Sequence, residues 1–216
     1  MPDPKLHRYA ADDVTVVWDG ARCIHAAECV RALPEVFAPD AKPWIRPAAA
    51  DAQSLAEVVA RCPSGALRLE PRDGGPAMDV PPLNTCLVMP DGPNFVRGDL
   101  TLHMGEATLQ DTRIALCRCG HSRNKPYCDN SHRQAGFADA GLLHAEKPSP
   151  PGTDLSAPLA IRAIPNGPVH CAGPLALRDA AGHTSFSDQT FLCRCGGSQN
   201  KPYCDGTHRR IGFQST

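Results

Sequence analysis

The chain has 216 residues, enough for one large domain or two to three small ones. Lys and Arg number 22 against 23 Asp and Glu, and the formal net charge of -1 argues against a general nucleic-acid or membrane-surface binder. Aromatic residues are 5% of the chain while prolines number 22 and glycines 18, which favours small units held together by something other than one large core. Cysteine is the candidate for that role, with 11 copies. No apolar run approaches the ~20 residues of a spanning helix, and the opening MPDPKLHRYAADD has no apolar stretch of a secretory signal. A cytoplasmic protein with neither membrane nor nucleic-acid partners is expected. In a reducing compartment dense cysteine reads as metal ligation before disulfides.

In chain order, VTVVW at 14–18 is β-branched and predicts a strand. Asp51 is placed to cap a helix in which Leu55, Val58 and Val59 share a face, and Ala66–Leu69 reads as a short closing strand. Trp18, Phe37 and Trp44 are the simplest core for this segment. Cys23, Cys29 and Cys62 stand in it as C-x5-C and a distant C-P. A four-iron half-site reads C-x2-C-x2-C with a distant C-P, and here Ala26 occupies the central position. Three thiolates match a [3Fe–4S] cluster; His25 or water as fourth ligand would complete a [4Fe–4S] cluster, and three thiolates with His25 could hold zinc. A surface role is the plainer reading of His25.

The stretch DGARCIHAAECVRALPEVFAPDAKPWIRP, followed by VVARCPSGAL, resembles the single-cluster ferredoxins that serve monooxygenases. It is closer still to the divergent four-iron mono-cluster domain, which shares the KPWI element and a histidine two residues after the first cysteine. The resemblance implies a compact α+β unit with an iron–sulfur cluster.

After a Pro- and Gly-rich linker at 71–83 a repeat begins. RIALCRCGHSRNKPYCDNSHRQAGF matches TFLCRCGGSQNKPYCDGTHRRIGF, and Cys117, Cys119, Cys128 and His132 recur 76 residues later as Cys193, Cys195, Cys204 and His208. The likeness extends upstream, where PDGPNFVRGDLTLH from Pro90 parallels PNGPVHCAGPLALR from Pro165. Before the cysteines, DLTLHM, EATLQD and RIALC, and then GPLALRD, HTSFSD and QTFLC, predict short strands with turns at Gly105 and Gly182. Asp129 and Asp205 are placed to start short helices. A second linker, 138–158, separates the copies.

Each copy reads C-x-C-x8-C-x3-H. Two thiolates one residue apart can grip one metal ion, and the later Cys and His a second one or the second iron of one cluster. Cys₃His also suits structural zinc, so spacing alone leaves the metal open.

The wider pattern C-x-C-x2-S-x3-P-x-C-D-G-[ST]-H is that of the CDGSH iron–sulfur proteins, which both copies resemble. The second fits throughout: Cys193, Cys195, Ser198, Pro202, Cys204, Asp205, Gly206, Thr207 and His208. The first has Asn130 for the glycine, a residue that tolerates left-handed backbone. The resemblance implies two [2Fe–2S] clusters, each with one iron on two cysteines and the other on Cys and His. Because single-motif members are homodimers with swapped strands, it also implies an internal pseudo-dimer or a homodimer. Three thiolates leave such a cluster less negative than four, so its potential should lie above the roughly -400 mV of plant-type ferredoxins. Lys125 and Lys201 inside the loops could raise it further and offer docking charge, and the plainer alternative is that they are ordinary solvated loop lysines.

The expected fold is α+β, a small ferredoxin-like domain at 12–70 followed by β-rich cluster-binding repeats at 84–140 and 160–216. The expected cofactors are two [2Fe–2S] clusters and one [3Fe–4S] or [4Fe–4S] cluster. Cys86 and Cys171 do not align between the repeats and read as free thiols; His103, His121, His170 and His183 read as surface or loop-supporting residues. No nucleotide fingerprint or nucleophile–base pair is present, so a non-enzymatic one-electron carrier is expected, its partners redox proteins. Cluster storage, cluster donation to apo iron–sulfur acceptors, or redox and iron sensing is the alternative.

Overall fold

The computed structural model describes residues 6–72, 74–76, 79–143 and 156–215. The chain divides into two compact units, Met1–Asp79 and Val80–Thr216.

The first unit is built on a three-stranded antiparallel sheet. β1 (Leu6–Ala10) pairs with β2 (Val14–Asp19), and β2 with β3 (Leu67–Pro71). β1 was not anticipated, because LHRYA is polar and mostly exposed, as an edge strand can be. Between β2 and β3 lie the short helix α1 (Glu28–Ala32) and the longer α2 (Ala52–Ala60). α2 begins as expected: the Asp51 carboxylate accepts from Ser54 N–H at 2.9 Å, and Leu55, Val58 and Val59 are buried. Phe37 is fully buried, and Trp18 and Trp44 meet edge-on with ring centroids 5.0 Å apart.

The second unit holds both repeats in one sheet. The first contributes β4 (Thr85–Val88), β5 (Asn94–Met104), β6 (Ala107–Leu116) and the one-turn α3 (Ser131–Gln134). The second contributes β7 (Leu159–Ala163), β8 (Val169–Arg178), β9 (Thr184–Leu192) and α4 (Thr207–Arg210). The segments EATLQD and RIALC are one continuous strand, β6, as HTSFSD and QTFLC are in β9. β4 and β7 are additional to the strands expected from sequence.

These added strands make the swap. β4 runs antiparallel to β5 of its own repeat and parallel to β8 of the other. β7 runs antiparallel to β8 and parallel to β5. The pairings β4–β5, β5–β7, β7–β8 and β8–β4 therefore close on themselves, with β6 and β9 attached outside. An internal pseudo-dimer with a shared barrel-like sheet results. Its core takes Val96, Leu100, Leu102, Ile114 and Leu116 from the first repeat and Leu159, Ile161, Leu175, Leu177 and Leu192 from the second.

Both long strands bulge where their pairing partners change. The register of β5 shifts between Arg97 and Leu100, and that of β8 between Ala172 and Leu175. At the first bulge the buried Asn84 spans the repeats. Its amide donates to Ala157 O and Pro174 O, both at 2.9 Å, and its oxygen accepts from Asp99 N–H.

Part of the expected linker at 138–158 is packed structure. Gly141 lies against the backbone of Val88–Pro90, and Leu143 packs on the core. Residues 144–155 of that linker, and 73, 77 and 78 of the linker at 71–83, lie outside the described residues. Among the described residues no helix is long and apolar enough to cross a membrane.

Candidate metal centres

In each repeat the cysteine loop leaves the end of a strand and returns to it. Tyr127 bridges to Leu116, so that Cys117 N–H donates to Pro126 O and Cys128 N–H to Ala115 O, both at 2.8 Å. Cys117 and Cys128, eleven residues apart in sequence, are thereby brought to one pairing, Cys117 opposite Pro126 and Cys128 opposite Ala115. The second repeat copies this with Leu192 and Tyr203, Cys193 to Pro202 and Cys204 to Phe191.

Short polar residues hold the loop. Ser122 Oγ donates to Tyr127 O at 2.6 Å and accepts from Asn124 N–H; Ser198 does the same with Tyr203 and Asn200. The Asp129 carboxylate accepts from Arg123 and Ser131 N–H, and Asp205 from Gln199 and Thr207. These aspartates were expected as helix caps, but the cap position belongs to the next residue, Asn130 or Gly206. Both are left-handed, at φ 70° and 83°, so Asn130 reproduces the backbone of the glycine it replaces.

The resulting geometry presents donors in pairs. Sγ of Cys117 and Cys119 are 3.7 Å apart, and those of Cys193 and Cys195 3.8 Å. Cys128 Sγ lies 3.5 Å from His132 Nδ1, and Cys204 Sγ 3.4 Å from His208 Nδ1. Two thiolates at 2.3 Å from one tetrahedral metal ion lie about 3.8 Å apart, and a thiolate and an imidazole about 3.6 Å. Each pair therefore has the bite of one tetrahedral metal. Among the described residues no three His, Cys, Asp or Glu side chains converge on a single ion site. Two pairs per repeat suit a two-metal group better than one zinc ion.

The thiols of each repeat are held unequally, one pushed toward the thiolate and two away from it. Within each C-x-C pair the thiols share a proton: the bond with Cys119 drives Cys117 down to about 6, and Cys119 is pushed up. In the second repeat Cys195 falls to about 6 and Cys193 rises. Burial pushes Cys128 up to about 11, and burial, with Arg133 nearby, holds His132 below its ordinary value. A neutral imidazole is the ligating form. Backbone N–H groups of His121 and Asn130 point at Cys119 and Cys128 sulfur at 3.4 Å.

The two loops meet back to back. Cys119 and Cys195 form a β-bridge. A Cβ on Gly120 would lie 2.5 Å from Cys195 O, and one on Gly196 2.5 Å from Cys119 O, both at positive φ. Only glycine fits either position.

Sequence reasoning missed the arginines between the paired cysteines, although C-R-C in both copies is their signal. Arg118, with no exposed side-chain surface, donates to Gly92 O at 3.0 Å, to Met89 O and to the Asp139 carboxylate, and lies over Phe137. Arg194 donates to Gly167 O at 2.9 Å and Ile164 O at 2.5 Å and lies over Phe213. Ser215 stands where the first repeat has Asp139. Lys201 reaches across to Asp139 at 3.8 Å, and Lys125 lies over Phe213.

In the first unit, Cys23, Cys29 and Cys62 line one cavity of about 390 Å³ with His25, Ala26, Trp18 and Trp44. Cys23 ends the turn after β2, Cys29 lies in the first turn of α1, and Cys62 follows α2. Arg22 ties the first loop to the third by donating to Ser64 O at 2.8 Å. Burial pushes the Cys29 thiol up, and the charges of Cys62 and then Cys23 add to it. His25 and Ala27 have φ of 53° and 61°, which turns the loop sharply around Ala26. The His25 side chain is exposed at the cavity rim. The indole N–H groups of Trp18 and Trp44 are buried without a protein acceptor among the described residues. Three thiols lining one cavity, too far apart to share a single ion, fit a group larger than one metal ion.

Cys86 and Cys171 are free and buried in the second core, Cys86 opposite Val96 and Cys171 opposite Ile161. Of the histidines outside the loops, His183 bonds the Asp179 carboxylate at 2.8 Å, and His170 stacks on Phe191.

Comparison with known families agrees with this layout. The sequence model of the divergent 4Fe-4S mono-cluster matches residues 9–71. That of the iron-binding zinc finger of CDGSH type matches residues 91–133 and 166–209. Protein YjdI of Escherichia coli, in strains K12 and O157:H7, is 37% identical over 60 residues, which cover 28% of this chain and 79% of YjdI.

Proposed function

Because the chain belongs to the CDGSH-type iron-binding proteins, with a divergent 4Fe-4S mono-cluster domain at its N-terminus, and is thereby an iron–sulfur protein, we propose that it carries single electrons between partner proteins. Cys117 and Cys119, with Cys128 and His132, hold one [2Fe–2S] cluster in this reading. Cys193 and Cys195, with Cys204 and His208, hold a second. Cys23, Cys29 and Cys62 hold a [3Fe–4S] or [4Fe–4S] cluster. The observation that carries the reading is the set of four donor pairs, each at the bite of a tetrahedral metal. Clusters of this kind supply reversible one-electron reduction. The residues around them position the sulfurs and shield them from water. The proposal gives the chain no substrate chemistry of its own.

One observation favours the alternative of cluster donation: Cys195, Cys204 and His208 are partly open to solvent. An anaerobic preparation assayed for iron, acid-labile sulfide and zinc, with EPR before and after dithionite, tests the assignment. Iron and sulfide for three centres, with reversible one-electron reduction, is the expected result. Zinc without sulfide, or clusters that do not reduce reversibly, overturns the electron-transfer reading.

A further inference from the structure

The two C-x-C…C-x3-H centres derive from one repeat but have become unequal. In the first, Cys117, Cys119, Cys128 and His132 are all buried, the most exposed being His132 at 8%. In the second only Cys193 is buried; Cys195, Cys204 and His208 are each partly exposed. A cavity of about 330 Å³ opens beside Cys204 and His208, lined also by Ile164, Pro168, Phe191 and Arg209.

The residues around the centres differ in the same sense. Behind the first, Asp139 holds the segment that follows α3. Its carboxylate takes Arg118 and Gly141 N–H, its own N–H donates to the Asp91 carboxylate, and its carbonyl accepts from Asp91 N–H. The chain then continues over the 88–90 backbone, and Leu143 N–H donates to Asp179. At the matching place, among the described residues, Ser215 bonds Asn166 alone. Two further positions changed: Ala115 and Ala135 of the first repeat correspond to Phe191 and Ile211, which are 41% and 54% exposed.

From this we infer that the second centre is the exchange site, where ligands from outside reach the metal, and that the first is a retained centre. The inference rests on the assignment of a [2Fe–2S] cluster to each repeat. Exchange at the second centre is ligand substitution. With a cluster bound, an incoming thiolate or chelator donor would take the place of the exposed His208 imidazole and Cys204 thiolate, one metal–ligand bond forming for each one broken and no oxidation state changing. Access decides the order, because a shell of packed side chains controls entry to a metal site.

The test is iron removal from the oxidised holo-protein at neutral pH with a large excess of EDTA and no added reductant, followed by loss of cluster absorbance. The two repeats should contribute two phases, with the second centre losing its iron about tenfold faster than the first, beside any phase of the first-unit cluster, which responds to neither variant below. His208→Cys and His132→Cys variants assign the phases, since each replaces a displaceable imidazole by a thiolate. His208→Cys should slow only the fast phase and His132→Cys only the slow one. Equal rates of loss at the two repeats, or a fast phase that responds to His132→Cys, overturns the inference. A starting preparation without iron and sulfide for two such clusters would instead overturn the cluster assignment beneath it.

Discussion

Replacing Gly120 by alanine tests the back-to-back arrangement of the two cysteine loops. Gly120 has φ +84°, and its new methyl would lie 2.5 Å from Cys195 O and 2.9 Å from Cys195 C. The backbone conformation alone costs alanine about 1 kcal/mol. Overlap with a carbonyl that cannot rotate away adds about 1–3 kcal/mol, for a total of about 2–4 kcal/mol. Gly105→Ala is the control: φ is +68°, nothing lies within 4 Å of the added carbon, and only the roughly 1 kcal/mol backbone cost applies. Because the overlap pushes on the Cys119–Cys195 bridge, Gly120→Ala should weaken iron binding in both repeats. The assays are denaturant unfolding and iron content per chain. If Gly120→Ala matched Gly105→Ala in both, the abutting geometry of the loops would be wrong.

Ala26→Cys adds a thiol to the first-unit cavity between Cys23 and Cys29; EPR should show loss of any oxidised three-iron signal and a reduced four-iron signal in its place, and an unchanged spectrum would place Ala26 away from the cluster. Asp139→Ala leaves the buried Arg118 guanidinium without its carboxylate and should cost about 3 kcal/mol in denaturant unfolding; a cost below about 1 kcal/mol would contradict the pairing. Burial pushes the Asp179 carboxyl up, but bonds from His183 and Leu143 outweigh it and hold it at about 2. Its folded value lies below its ordinary one, so its stabilisation is complete above about pH 4 and lost as pH falls through 2. Asp179→Asn should therefore narrow its stability gap from the parent as pH falls across that range, measured by unfolding midpoints; a gap constant with pH would refute the assignment.

The cysteine loops were legible because their spacing is local: the residues that return Cys128 to Cys117 lie between them. The swapped sheet was legible only through the repeat and its family resemblance. TCLV and LAIRA become β4 and β7 by pairing with residues about 90 and 60 positions away, which no local pattern announces. EATLQD and RIALC read as two strands because a polar middle, Gln110 to Arg113, breaks the apolar pattern. Arg113 is nevertheless buried inside β6. The pairing of Arg118 with Asp139 spans 21 residues and follows no periodicity, so only the folded chain shows it. In the first unit the three cysteines were readable, whereas the presence of Trp18 and Trp44 in the same cavity depends on tertiary packing.

Joining two repeats in one closed sheet has an evolutionary consequence. A symmetric homodimer must accept every substitution twice, once at each centre, so a change that helps one site and harms the other is lost. A covalent tandem removes that constraint. Asp139 can stand in one half and Ser215 in the other, and Phe191 can be large where Ala115 is small. Asn84 and the strand exchange meanwhile keep the halves from parting. Such a chain can specialise its two halves without losing the architecture that each needs from the other.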